Sequence, residues 1–169
     1  MNKQKLYCYG LNKFTRQMRI NGWTDETLPS NVAIISICCT DTLNIESDWA
    51  EWHVFKDADN VLNIEFDDLD KDVLYRLGPD TVKEYEHRCL TEEQAKQIVD
   101  FIIKHKDKDF YVHCSAGVSR SQAVIKFIHL NLSEDKNQFE LNPNNSDYSF
   151  ANGYVYSLLT KYYRNYVEQ

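Results

Sequence analysis

Residues 110–127 read FYVHCSAGVSRSQAVIKF, and the rest of the chain is interpreted outward from them. The aromatic and β-branched residues up to Cys114 predict a buried strand, and the mostly apolar run from about Ser119 to Leu132 predicts a helix. Between them lies CSAGVSR, a short loop of small residues. A loop that passes from a strand into a helix points backbone N–H groups inward, and the helix dipole adds positive potential. The stretch therefore predicts an anion-binding loop with a cysteine at its start.

The residue types in this loop fit a phosphate site that carries a nucleophile. Gly117 permits the backbone torsions of a tight turn, and the planar charged group of Arg120 binds two phosphate oxygens at once. The positive field favours the thiolate of Cys114. Ser121 is predicted to donate a hydrogen bond to that sulfur, and His113 to order the loop from behind. The alternative for Cys114 is an inert buried cysteine, but strand, cysteine, glycine, arginine and helix follow the order of an anion site.

Length and composition narrow the classes of protein that fit. The 169 residues predict one domain over 1–169, and 43% hydrophobic residues predict a well-filled core. The net charge of -7 argues against nucleic acid and anionic membranes as partners. The five cysteines form no CxxC pair, and the N-terminal residues do not resemble a signal sequence, so we expect a reduced, cytoplasmic protein without a zinc site. A monomer is expected. The longest apolar run of the sequence is too short to cross a membrane.

Hydrophobic patterns predict the architecture. The run VAIISICC (32–39) is typical of a strand buried on both faces of a parallel sheet, and VLNIEF (61–66) predicts a second strand. The segment 90–107 has helical periodicity, with Thr91 as its N-cap, and 151–167 predicts a final helix packed on the sheet. The alternation predicts an α/β fold with a central, mostly parallel sheet flanked by helices.

The loop also resembles a known family. The sequence HCSAGVSRS (113–121) matches the signature of the cysteine-dependent protein tyrosine phosphatase superfamily: HC, five residues, then R followed by S or T. Its Ala-Gly and Ser-Arg-Ser pattern is most similar to the compact dual-specificity phosphatases. The resemblance implies a protein tyrosine phosphatase-like fold and a two-step reaction through a cysteinyl-phosphate, with Cys114 as nucleophile and no metal or cofactor. It implies phosphate binding by Ser115, Ala116, Gly117, Val118, Ser119 and Arg120.

A phosphate monoester also needs an acid to protonate its leaving oxygen. The loop after VLNIEF offers Asp67, Asp68, Asp70 and Asp72, although an ordinary solvated acidic turn is an alternative. In the family the acid lies on the loop after the strand that precedes the signature helix, two residues beyond the last apolar strand residue. Counting from Phe66 gives Asp68, and Asp67 is the second choice.

The resemblance leaves several substrates open. No tyrosine recognition loop of the larger phosphotyrosine-specific enzymes is evident, which favours phosphotyrosine together with phosphoserine or phosphothreonine in a protein or peptide. Phosphoinositide phosphatases usually carry lysines in the loop, and this loop has none. An RNA 5′-triphosphatase of similar fold would need a locally basic face. A non-catalytic phosphoprotein-binding module usually lacks the cysteine or the arginine, and sulfur transfer or arsenate reduction would need a sulfur donor or a resolving cysteine.

Two further features carry weaker predictions. The segment LNPNNSDYSFANGYVY (141–156) resembles the Pro-Asn stretch of dual-specificity phosphatases, where an asparagine helps to hold the loop. Pro143 and Asn144 match that stretch, but the longer spacing to the helix leaves them without an assigned role. Cys38 and Cys39 end a predicted strand near Cys114, which allows a reversible disulfide, although buried core cysteines are the favoured interpretation.

Overall fold

A computed structural model describes residues 3–40, 53–133, 138–142 and 148–168. The described strands form one sheet in the spatial order β3-β2-β4-β1-β5, and each pairing is parallel. The strands are β1 (Gln4–Gly10), β2 (Val32–Cys38), β3 (Val61–Glu65), β4 (Asp109–Cys114) and β5 (Phe139–Leu141). The prediction of an α/β fold with a central parallel sheet is confirmed.

Helices cover both faces of the sheet. They are α1 (Leu11–Asn21), α2 (Lys71–Leu77), α3 (Pro79–Tyr85), α4 (Glu92–Lys104), α5 (Arg120–Asn131) and α6 (Gly153–Val167), with a 3₁₀ turn at Glu86–Arg88. On one face, Phe14 and Met18 of α1 pack against Ile34 and Tyr111. The apolar sides of α4, α5 and α6 form the larger core on the other face. None of the described helices is long and apolar enough to cross a membrane.

The elements predicted from strong patterns lie where the sequence placed them. All seven residues of β2 are buried, as expected for a strand covered on both faces. The Thr91 side chain accepts a hydrogen bond from the Gln94 amide, and the Gln94 side chain accepts one from the Thr91 amide. This reciprocal capping box fixes the start of α4. The helix then buries the predicted apolar residues Ala95, Ile98, Val99 and Ile102.

Strand β1 was not predicted, although it lies between β4 and β5. Leu6 and Cys8 are buried on the face covered by α5, whereas Tyr7 and Tyr9 lie on the opposite face. The ring of Tyr7 stacks on Tyr111, with 4.3 Å between ring centroids. Both faces of this inner strand are therefore covered, so it lacks the alternation of apolar and polar residues that marks a half-buried strand.

The connections of β1 and β4 explain where a site forms. From β1 the chain passes through α1 to β2, and from β4 it passes through α5 toward β5. These adjacent strands therefore send their connections in opposite directions, across opposite faces of the sheet. In open parallel sheets, ligands bind beyond the carboxyl ends of strands at such a point. The loop predicted to bind an anion begins there.

Candidate active site

The loop between β4 and α5 curls back over the cysteine. Cys114 is the last residue of β4, and Arg120 is the first residue of α5. Gly117 has a φ of 74°, in the left-handed region that favours glycine. Its backbone N–H donates to the Cys114 sulfur over 3.3 Å. The loop thus points an amide at the sulfur, as the sequence suggested.

The junction of β1 and α1 packs directly on this loop. A Cβ atom on Gly117 would lie 2.3 Å from the Gly10 nitrogen, and one on Gly10 would lie 2.9 Å from the Ala116 carbonyl carbon. The Leu11 amide also donates to the Ser115 carbonyl over 3.0 Å. Two glycines therefore let the two backbone segments touch. Gly10 was not predicted, because neither the strand that ends at it nor the helix that follows it was predicted.

Ser121 links Cys114 to a second cysteine. The Ser121 Oγ lies 3.1 Å from the Cys114 Sγ, and the Cys8 thiol donates to the same oxygen over 3.1 Å. Burial raises the pKa of Cys8 to about 12, so this thiol keeps its proton at neutral pH. A Ser121 oxygen that accepts from Cys8 keeps its own proton available, so the hydroxyl can donate it to a Cys114 thiolate. The supporting role predicted for Ser121 therefore has suitable geometry, and Cys8 is an orienting group that the sequence analysis missed.

The Arg120 side chain is buried and held in a fixed orientation. Its Nη1 donates to the Phe66 carbonyl over 2.8 Å, and its Nη2 donates to the Ser115 Oγ over 2.5 Å. Nη1 also contacts the Cys39 sulfur at 3.6 Å. Only 4% of the residue is exposed. The guanidinium is therefore anchored between the end of β3 and the loop that contains Cys114.

The two candidate acids have different surroundings. Asp67 is buried, forms an ion pair with Arg88 and accepts the Thr40 amide over 2.9 Å. Asp68 is exposed, and its Oδ1 accepts a hydrogen bond from the Ser119 hydroxyl over 2.7 Å. Asp68 is thus in contact with the loop, whereas Asp67 is occupied in holding its own segment. Asp68 therefore stays the first choice of acid, as a prediction.

Asn152 holds the Asp68 segment against the loop. Its Nδ2 donates to the Asp68 Oδ1 over 2.9 Å and to the Leu69 carbonyl over 3.2 Å. Its backbone amide donates to the Ser119 carbonyl over 3.2 Å, and its side chain caps α6. The sequence analysis missed this residue. Its signal was an asparagine, a common N-cap residue, near the start of the segment predicted as the final helix, and the structure begins that helix one residue later, at Gly153. Pro143 and Asn144 lie outside the described residues.

His113 lies behind the loop, on the face of the sheet opposite to Cys114. It is fully buried, and its ring lies 4.3 Å from that of Phe14 between centroids. Its Nε2 lies 2.6 Å from the Ser36 hydroxyl. Ser36 is the residue of β2 that lies opposite His113 in the sheet. The ring is therefore held by packing and by a hydrogen bond, in the position predicted for a residue that orders the loop.

Two cysteines at the end of β2 also lie close to this region: Cys38 is its last residue, and Cys39 directly follows it. Cys39 is 3.9 Å from the Ser115 hydroxyl, whereas the buried Cys38 faces His53 at 3.4 Å between Sγ and Nδ1. Cys38 is buried, in line with the favoured interpretation of a core cysteine, whereas Cys39 is only partly buried and lies nearer the loop. The reversible disulfide stays an untested alternative.

No protein-family model matches the chain, and no curated protein matches it significantly. Membership of the phosphatase superfamily is therefore a hypothesis that rests on residues 113–121 and on the site geometry.

Proposed function

We propose that the protein is a cysteine-dependent protein phosphatase that hydrolyses phosphotyrosine monoesters through a cysteinyl-phosphate on Cys114. The observation that carries the proposal is the convergence of two groups on the Cys114 sulfur: the Gly117 amide donates to it, and the Ser121 hydroxyl lies 3.1 Å away, where it can donate to a thiolate. Donors aimed at a sulfur stabilise its anionic form, which is the nucleophile. An inert core cysteine would not need such an arrangement at the end of a strand.

The first step transfers the phosphoryl group to the enzyme. The Cys114 sulfur attacks phosphorus, an S–P bond forms, and the bond from phosphorus to the leaving oxygen breaks. Asp68 gives its proton to that oxygen, which leaves as an alcohol. Arg120 and the loop amides stabilise the charge on the equatorial oxygens. The anchoring of Arg120 by Phe66 and Ser115 supports this role, because a group held in advance needs little reorganisation during the reaction.

The second step releases phosphate. A water molecule attacks phosphorus, Asp68 accepts the proton of that water, and the S–P bond breaks. The Ser121 hydroxyl donates to the departing sulfur, and Cys8 keeps this hydroxyl oriented by donating to its oxygen. The contact of Asp68 with Ser119 supports its place at the loop in both steps.

The experiment compares phosphate release by the wild type and by Cys114→Ser from three substrates: a phosphotyrosine peptide, a phosphothreonine peptide and a triphosphate-ended RNA. We expect Cys114-dependent phosphate release from the phosphotyrosine peptide. The rate on the phosphothreonine peptide, compared with that rate, shows how far the enzyme has dual specificity. The Cys114→Ser variant should lose hydrolysis but still bind phosphate. Release from the RNA alone would replace the proposal with nucleic-acid processing. Binding of the peptides without hydrolysis by the wild type would indicate a non-catalytic module.

A further inference from the structure

A line of polar groups runs from the residue before Cys114 to the outer part of the sheet. The Ser36 Oγ lies 2.6 Å from the His113 Nε2 and 2.7 Å from the His53 Nδ1. The His53 Nε2 lies 3.7 Å from a carboxylate oxygen of Glu65 on β3. Ser36 and His113 are buried, whereas His53 is partly exposed. The line thus joins a fully buried ring to a ring that reaches solvent.

The Ser36 hydroxyl couples the protons of the two rings. A hydroxyl has one proton, so Ser36 can donate to only one of the two ring nitrogens that face it. The other nitrogen must then carry a proton and donate to the Ser36 oxygen. The state of His53 therefore determines which nitrogen of His113 is protonated, provided that His113 stays neutral.

Two arrangements follow from this coupling. When His53 is neutral, the Glu65 carboxylate favours a proton on Nε2, so Nδ1 accepts from Ser36 and the His113 Nε2–H donates to Ser36. When His53 is protonated on both nitrogens, its Nδ1–H donates to Ser36, and the Ser36 proton turns to the His113 Nε2. The proton of His113 then resides on Nδ1, the ring nitrogen nearer its own backbone.

We propose that His53 is a positioning residue, which acts through Ser36 to select the tautomer of His113 and thereby adjusts the loop that begins at Cys114. The proposal rests on the proposed function of that loop. His113 directly precedes Cys114, and its ring packs on Phe14 of α1, the helix whose first amide binds the loop. A proton moved to Nδ1 turns that side of the ring from an acceptor into a donor, next to the backbone from which the loop starts.

Among the residues that the structure describes, three titratable groups face or surround His53. Glu65 lies on β3, Asp57 precedes that strand, and the Cys38 sulfur on β2 is 3.4 Å from Nδ1. Burial lowers the pKa of His53 below its ordinary value, and the nearby carboxylates of Glu65 and Asp57 oppose this shift. A thiol is a weaker donor than a hydroxyl, so Ser36 remains the preferred partner of Nδ1. The change of tautomer is therefore expected at a pH below that at which an ordinary histidine titrates.

The direct test is ¹⁵N NMR of the histidine rings in the full chain, from about pH 5 to about pH 8, the range in which histidines titrate. In the wild type, acidification should move the His113 proton from Nε2 to Nδ1 in step with the titration of His53. In His53→Asn, an amide replaces Nδ1 but does not titrate, so the His113 tautomer should not change with pH. Ser36→Ala should also uncouple the rings. The matched control is His87→Asn at an exposed histidine, which should leave the His113 signals unchanged.

The second readout is the pH profile of kcat/KM for a phosphotyrosine peptide. kcat/KM should change by about three- to tenfold as His53 titrates, which is the effect expected from the free energy of one hydrogen bond. This change should be absent in His53→Asn and Ser36→Ala. An unchanged His113 tautomer across the pH range, or the same titration in His53→Asn, would overturn the coupling. Superimposable activity profiles of wild type and His53→Asn would overturn the positioning role.

Failure of the proposed function gives a different result. A wild type without Cys114-dependent hydrolysis would contradict the phosphatase proposal, while the ring signals would still report the coupling. In that event sulfate, whose charge is constant over this pH range, serves as the probe. Its affinity, followed by the Gly117 amide signal, should change with pH in the wild type and not in His53→Asn. A pH-independent affinity in both proteins would refute the influence of His53 on the loop.

Discussion

Replacing Asp68 by asparagine should slow hydrolysis strongly and leave the fold intact. The asparagine keeps a carbonyl oxygen that can accept from Ser119 and Asn152, as the carboxylate oxygen does. It cannot give a proton to the leaving oxygen, and such proton transfer contributes about 10²- to 10⁴-fold, or about 3–5 kcal/mol. The loss should be larger for phenyl phosphate than for 4-nitrophenyl phosphate, since the poorer leaving group depends more on the acid.

Asp67→Asn is the matched variant, one residue away. Asp67 is buried and paired with Arg88, so removing its charge leaves a partly buried guanidinium without that carboxylate. We expect the free energy of unfolding to fall by about 1–3 kcal/mol. For a chain of this size, each kcal/mol lowers Tm by roughly 2–4 °C. Its kcat should fall much less than that of Asp68→Asn.

The assay pairs kcat/KM for both aryl phosphates with thermal unfolding of the wild type and the two variants. The reasoning predicts an activity loss in one variant and a stability loss in the other. A larger loss of kcat in Asp67→Asn, with dependence on the leaving group, would show that Asp67 is the acid. Equal effects of Asp68→Asn on both substrates would refute proton donation by this residue.

Three further predictions concern the packing around the loop and one helix start. Gly10→Ala places a methyl group against the backbone of Ala116, so the loop must shift. We expect kcat/KM to fall about 100-fold in steady-state kinetics. An unchanged kcat/KM would show that the loop accommodates the methyl group without loss. Ser121→Ala removes a hydrogen bond to the departing sulfur of Cys114 and should slow the second step about 10- to 100-fold. Stopped-flow measurements should then show a burst of product. A slower rate without a burst would assign Ser121 to the first step. Thr91→Ala removes half of a capping box and should lower the free energy of unfolding by about 1 kcal/mol, measured by chemical denaturation, while kcat stays unchanged. A change of kcat would mean that the start of α4 affects the site.

The sequence predicted the parts of the fold whose residues carry strong local patterns. The apolar run of β2, the capped periodic helix α4 and the strand-loop-helix around Cys114 have signals within a few neighbouring residues. Strand β1 lacked such a signal, because Tyr7 and Tyr9 cover one of its faces. Strand β5 has three residues, too few for a period to be recognised.

The same limit applies to the site. Cys114, Arg120 and Ser121 lie within one motif, so their proximity follows from local structure. Gly10 and Asn152 reach the loop from β1 and from the start of α6, and no local pattern reveals contacts between segments so far apart. Asp68 was chosen by counting from Phe66, which directly follows β3, and this choice of acid stays a prediction.

The location of β1 inside the sheet has a consequence for biosynthesis. Lys5 and Asp109, which are joined by a hydrogen bond at the start of the β1–β4 pairing, are separated by 104 residues. At translation rates of roughly 5–20 residues per second, β1 is synthesised about 5–20 s before β4 is complete. Closing so long a stretch of chain is entropically costly, and non-local strand pairing is slow. The nascent chain therefore cannot assemble the loop between Cys114 and Arg120 from local contacts alone, and the earliest ribosome-bound chain able to close this loop already includes β4 and the start of α5.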